Sequence, residues 1–296
     1  MAQLMGGELT LTAEAVDLLR ADPRGAPVLN HAGKNGSLPE QLRGSDVVSD
    51  NAVADLFELR VAAALSRLTK VGWKYEHPTG VGNSTVDFYV PGPPAWLIEV
   101  VSLRTSQNVK CATSQWTNGG GAEWSSTLLM SSLAAGQGKF EKEMLLAESK
   151  IIAKVSQDGK PWKFPPPNGT AFHAVVVDAR GYLGDGGGSE LDWIQMTGGA
   201  PFLPSGSPFQ SIDGAPIKGI FEVDHPMAGA ELARERLHFI GFVEETAFEC
   251  GQVRYRSCFI NNPMLLSTLT DISAAFATYP LRACHRLHCL CVPKQG

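Results

Sequence analysis

Two acidic residues stand where strands should be apolar. Asp87 lies between Val86 and Phe88, and Glu99 lies between Ile98 and Val100. An ionised carboxylate buried alone is costly, so such residues are paired, protonated or bound to a cation. Strand alternation puts Glu99 on the face of Leu97 and Val101, and Asp87 on the face of Tyr89. On hairpin neighbours the two carboxylates can converge on one point, as Mg²⁺ requires with its preference for carboxylates and water. A third acid, Glu58, interrupts the helical run Leu56-Phe57-Glu58-Leu59 and can point toward the same end. Each has a plainer reading. Asp87 can be a turn carboxylate beside Asn83 and Ser84, Glu99 half of a buried ion pair with Arg or Lys, and Glu58 a solvated helix position.

The elements that must position these acids follow from periodicity. Residues 1–48 read as an irregular leader, with one short helix over 13–19 and turn signals at Asp22-Pro23-Arg24-Gly25 and Lys34-Asn35-Gly36-Ser37. Ser49-Asp50-Asn51 offers N-caps for a helix that carries Val53, Leu56, Phe57, Leu59, Val61, Ala64 and Leu65 as far as Gly72. Strands are expected over 73–77, 85–90 and 96–103, as an antiparallel meander. The third is apolar on both faces, like a central strand. A helix is expected over 139–157 and a buried strand over 171–178. Later strands fit 217–223, 237–244 and 252–260, and a last helix fits 264–279. Gly, Pro and Ser enrichment marks insertions at 105–138 and 181–216. The order predicts an α+β (mixed α/β) domain over 49–280, a central mixed sheet flanked by helices, followed by a C-terminal tail at 281–296.

The order helix, meander, helix, strand, with Asp87 followed after eleven residues by Glu99, resembles the core of the PD-(D/E)XK nuclease superfamily. The likeness covers the chain from about residue 51 to 180, and Glu58 matches the acid often found on that family's first helix. The resemblance implies a restriction-endonuclease-like core and a metal-dependent hydrolase of phosphodiester bonds, endonuclease or exonuclease. Glu58, Asp87 and Glu99 would hold Mg²⁺ or Mn²⁺, and DNA would be the substrate. The family's lysine belongs at position 101, where this chain has Val101. Some members move that lysine to the following helix. Here Lys150, Lys154 and Gln157 lie at i, i+4 and i+7 on the 139–157 helix, and either lysine can stabilise charge on the phosphate or help deprotonate water. The plain alternative is an exposed helix face. With the lysine lost altogether, the chain is a catalytically inactive nuclease-fold module that binds nucleic acid or a protein. Cutting both strands of a duplex needs two sites, which suggests a homodimer.

Composition narrows the rest. The 296 residues are 44% hydrophobic with a formal charge of −5, which excludes wholesale disorder and a general coat of positive charge. No run approaches the ~20 apolar residues needed to cross a bilayer. The start lacks a basic and apolar leader, so a cytoplasmic protein is expected. Six cysteines, Cys111, Cys250, Cys258, Cys284, Cys289 and Cys291, are too few for a disulfide framework in a chain this long. The run Cys284-His285-Arg286-Leu287-His288-Cys289-Leu290-Cys291 could hold zinc, but its ligands are not two separated pairs; an ordinary tail is the alternative. Gly184-Asp185-Gly186-Gly187-Gly188 lacks the lysine of a phosphate cradle, and there is no Gly-x-Ser-x-Gly elbow. Trp116 and Trp124 could stack on bases or simply pack in their loop.

Overall fold

The computed structural model describes residues 13–34, 50–104, 140–179, 189–198, 218–243 and 257–290. The expected insertion at 105–138, with Trp116 and Trp124, lies outside them, as do Cys111, Cys250 and Cys291.

The described elements run α1 (Ala13–Ala21), α2 (Gly25–Lys34), α3 (Asp50–Leu68), β1 (Lys74–Pro78), β2 (Thr85–Val90), β3 (Ala95–Ser102) and α4 (Phe140–Ile152). There follow β4 (Ser156–Gln157), β5 (Lys160–Pro161), β6 (Ala171–Asp178), α5 (Glu190–Gly198), α6 (Ala230–Arg236), β7 (Phe239–Val243), β8 (Cys258–Asn261), α7 (Leu269–Ala277) and β9 (Arg286–His288). The fold is mixed α/β. A seven-stranded sheet in the order β1-β2-β3-β6-β7-β8-β9 forms its centre. β1, β2 and β3 make an antiparallel meander, β3, β6 and β7 are parallel, β8 is antiparallel to β7, and β9 is parallel to β8.

Each face of the sheet has its own core. On one, α1, α2, α3 and α7 cover Phe88, Trp96, Ile98, Val176, Phe239 and Phe259. On the other, α4, α5 and α6 cover Leu97, Val175, Val177, Ile240 and Phe242. The central strands are apolar on both sides for that reason. Within the first core the rings of Phe239, Phe259 and Tyr279 stack at 4.7 and 4.1 Å, and Trp96 packs against Phe239 and Tyr279.

Several expected elements differ. The leader is not irregular throughout, because α1 and α2 form a helical pair laid on α3. Helix α3 is apolar nearly all round, with Leu56, Leu59, Val61, Ala62 and Ala63 buried, so its outer side needs cover. The two helices meet closely: a Cβ on Gly25 would fall 2.3 Å from the Leu19 carbonyl oxygen. Inside the 181–216 insertion, α5 begins with a reciprocal cap, in which the Ser189 N–H donates to the Asp192 carboxylate and the Asp192 N–H donates to Ser189 Oγ. Residues 217–223 form no strand where they are described. Ile220 and Phe221 are buried, but their N–H groups donate to the carbonyls of Met196 and Thr197 at the end of α5. The last helix starts at Leu269 because Thr268 caps it by accepting from Asp271 N–H. The start of the tail is part of the sheet, as β9, with Cys284 and His285 buried beside it. Among the described residues, no helix is long and apolar enough to cross a membrane.

Gly241 in β7 faces Phe259 across the ladder, and a Cβ there would lie 2.7 Å from a ring carbon of Phe259 and 3.1 Å from His285 Nε2. Gly241→Ala should therefore displace the stacked rings and lower stability by about 1–3 kcal/mol in urea denaturation. An unchanged midpoint would mean that the ring stack yields without cost.

Candidate active site

The ladder between β2 and β3 has only three pairs, from Val90↔Trp96 to Phe88↔Ile98. Where the next pair should form, the two acids replace it. The Asp87 N–H donates to Glu99 Oε1 at 2.9 Å, and the Val100 N–H donates to Asp87 Oδ2 at 2.8 Å. Each carboxylate thus satisfies an N–H of the opposite strand, so the strands can part without orphaning those donors. β3 continues alongside β6 as far as Ser102↔Asp178.

Glu99 is fully buried, and both of its oxygens are engaged. Oε2 receives the Lys163 ammonium at 2.7 Å and the Lys154 ammonium at 3.2 Å. The same Lys163 Nζ lies 3.8 Å from Asp87 Oδ1. Burial, then the Asp87 charge, pushes the Glu99 carboxyl up, and the two lysines oppose that shift. All three groups that contact it are donors, the pattern of an ionised carboxylate. Burial works against the Lys154 ammonium, but Asp87, Glu99 and Glu58 outweigh it and hold its pKa above the ordinary lysine value.

Glu58 comes from α3. Tyr75 on β1 donates its hydroxyl to Glu58 Oε2 at 2.6 Å. Burial first, then the Asp87 charge, pushes the Glu58 carboxyl up to about 7. Burial dominates the shift of both acids, and the neighbouring carboxylate adds to it; the same carboxylates raise Lys154 against its own burial.

A cavity of about 230 Å³ opens beside this cluster. Ala54, Phe57 and Glu58 line it from α3, Val100, Val101 and Ser102 from β3, and Arg104, Lys150 and Lys154 close the rest. It sits at the C-terminal end of β3, and Arg104, Lys150 and Lys154 give part of its wall positive charge. Helix α4, which carries Lys150, is tied on another side by a buried pair in which His225 Nε2 meets Glu148 Oε2 at 3.1 Å.

The expected residues therefore divide. Glu58, Asp87, Glu99 and Lys154 meet in one cluster, and Lys150 lines its cavity. Gln157 does not reach it. Helix α4 ends at Ile152, not at 157, and Gln157 is an exposed residue of a two-stranded ribbon paired with Lys160. The ribbon turns at Asp158 and Gly159, both at positive φ (52° and 72°), as a two-residue hairpin turn demands. Lys154 accordingly reaches the acids from the turn after the helix, not from a helical stripe. Lys163 and Tyr75 were not anticipated. Lys163 did carry a signal, a lone charge between Trp162 and Phe164 ahead of three prolines, the same kind of signal that marks Glu99. The Cys/His run holds no gathered site where it is described. His285 is buried with its pKa lowered to about 3 by burial, and His288 lies 3.5 Å from Glu190.

The donor set suits a hard divalent cation. Asp87 Oδ1 and Glu99 Oε2 already share one cationic nitrogen, and water can complete an octahedron around an ion held by two carboxylates. Among the described residues, no three His, Cys, Asp or Glu side chains form a ready-made cluster. Glu58 acts on the pair through its charge, with its Oε2 held by Tyr75.

In the unfolded chain Glu58 titrates near 4.5, and in the fold near 7. Between those values the folded protein holds a proton that the unfolded chain releases, so this contribution to stability is largest at low pH and is lost as pH rises. The buried histidines His173, His238 and His285 have lowered pKa values and give the opposite slope below 6.5. The difference between wild type and Glu58→Gln cancels them. The stability of metal-free wild type relative to Glu58→Gln, from urea denaturation, should fall by about 2 kcal/mol from pH 5 to pH 8. Parallel curves would remove Glu58 from the cluster.

No protein-family model matches the chain, and no curated protein or solved structure matches it.

Proposed function

We propose that the protein is a metal-dependent nuclease of the PD-(D/E)XK kind, hydrolysing phosphodiester bonds, with DNA as its first candidate substrate. One observation carries this reading: Asp87 and Glu99 stand on adjacent strands, share the Lys163 ammonium at 3.8 and 2.7 Å, and contact Lys154 or neighbour Val100, which with Glu58, Lys150 and Arg104 line a cavity beside them. Two acids that share a cation, next to three basic side chains, suit an anionic ester whose hydrolysis builds further negative charge.

In this reading Asp87 and Glu99 hold Mg²⁺ or Mn²⁺, and Glu58 adds negative charge from α3. When bound, the ion supplies an acidified water and polarises a phosphoryl oxygen. The chain's own residues do the rest. Lys150 and Arg104 receive the phosphate at the cavity wall. Lys154 keeps its ammonium charged among the acids and balances charge as it grows on the phosphorus oxygens. The apolar walls of Phe57, Val100 and Val101 limit water at the reacting centre. Val101, in the place of the family's lysine, leaves the ammonium to be supplied from outside β3. Cleavage of both strands would call for two copies of the chain.

Supercoiled plasmid incubated with Mg²⁺ or Mn²⁺ should be nicked, and EDTA should abolish the nicking. Asp87→Asn and Glu99→Gln, checked for folding by circular dichroism, should each lower the rate by about 10²-fold or more. Lys154→Met should lower it while DNA binding persists. Saturable DNA binding with no nicking in either metal would overturn the enzyme reading in favour of a binding module, whose carboxylates are neutralised by Lys154 and Lys163.

A further inference from the structure

The backbone that carries Lys163 is unusual. The Phe164 N–H donates to the Trp162 carbonyl at 2.6 Å, which makes Lys163 the centre of a three-residue turn, and its φ is +59°. A three-residue turn centred on positive φ is the rare and strained form, and a non-glycine residue there needs support from its surroundings. That support is present on both sides. The Trp162 N–H donates to the Val155 carbonyl at 2.7 Å. The Phe164 side chain is fully buried, and its carbonyl accepts from Arg236 at 2.6 Å. The strain is thus held by anchors at the base of the 156–161 ribbon and on α6, and its product is one ammonium placed between Asp87 and Glu99.

Resting on the nuclease reading, we propose that Lys163 is a tethered counter-ion seated in the divalent-cation position, and that a metal must displace it to bind. The distances require competition. Nζ lies 2.7 Å from Glu99 Oε2 and 3.8 Å from Asp87 Oδ1, and an ion bridging those oxygens at about 2.1 Å would overlap it. Displacement leaves Glu99 with a partner, because Lys154 sits on the same oxygen at 3.2 Å. The Lys163 side chain is 18% exposed, so its ammonium has a way out to water. In the metal-free protein Lys163 keeps two neighbouring acids from repelling each other, and it also sets a threshold concentration below which the metal does not enter.

Two measurements on the full chain test this. Mn²⁺ titration by calorimetry should show Lys163→Met, which keeps length and removes charge, binding about tenfold or more tightly than wild type, since an adjacent competing charge is gone. Independently, reductive methylation of wild type followed by peptide mass spectrometry should show Lys163 reacting faster with saturating Mn²⁺ than in EDTA, as the ammonium is released. That second readout decides if Lys163→Met does not fold. Equal affinities with unchanged labelling, or weaker binding by the variant, would overturn the displacement while leaving the metal-dependent reading intact. No Mn²⁺ binding by either protein would overturn both.

Discussion

The site depends on one exchange: Asp87 and Glu99 each accept a backbone N–H at the point where β2 and β3 stop pairing. A sheet edge opened in its middle would otherwise leave bare donors in a dry interior, each costing about 1–3 kcal/mol. The two carboxylates remove that cost, and the opening admits side chains from three other directions. Glu58 comes from α3, Lys154 from the turn after α4, and Lys163 from the far side of the 156–161 ribbon. The cavity at the end of β3 is the space left by strands that part while their polar groups stay satisfied. The acids are therefore structural and chemical at once, because removing one reopens the ladder as well as the charge balance.

That charge balance explains why the surrounding elements are so heavily anchored. Three carboxyls and two ammonium groups in low dielectric attract and repel strongly over small displacements, so their carriers must be fixed. Helix α3 is clasped between the sheet and the α1–α2 pair. Tyr75 holds Glu58 at one oxygen. The Glu148–His225 pair and the burial of Met144, Ile151 and Val155 hold α4 and its following turn. On the remote side of the sheet, Asn261 and Asn262 do comparable work. Asn261 donates to the carbonyls of Leu266 and Leu290, and Asn262 donates to those of Arg234 and Leu237. The Asn262 bonds fix the end of α6, whose Arg236 in turn holds the turn that presents Lys163.

Much of this was legible in the sequence where a periodic or compositional signal was local. β2 lies where its β-branched and aromatic run, closed by Pro91-Gly92-Pro93-Pro94, places it, the meander is antiparallel, and β6 follows the apolar run Ala174-Val175-Val176-Val177. The isolated acids Asp87 and Glu99 marked the cluster by their apolar flanks alone. What was not legible depended on tertiary context. The extent of α4 was overread because Lys154, Val155 and Gln157 continue a helical pattern, whereas the Asp158-Gly159 turn draws the chain into a ribbon. The apolar run at 217–223 looked like a strand, but Ile220 and Phe221 spend their N–H groups on the end of α5. The leader's second helix starts at Gly25 and carries Pro27 in its first turn, a composition that reads as a break. Asn261-Asn262-Pro263 has the composition of a chain break, yet its asparagine side chains tie separate segments together.

The valine at position 101 shows how the two kinds of signal combine. Position 101 shares the face of Glu99, pairs with Val177 in the register and lines the cavity, so a lysine there would reach the acids from the strand itself. This chain fills that position with an apolar side chain that packs on the α4 side of the sheet, and it brings its ammonium groups from two turns instead. A lysine on a central strand is held by the ladder and can move only at its side chain. A lysine on a turn adds the freedom of its backbone, and Lys163 sits at a strained position whose release would cost no regular hydrogen bond of the central sheet. A positive charge carried on a turn rather than on the strand is what the proposed displacement needs: on that reading the ammonium beside Asp87 and Glu99 is a group that can leave.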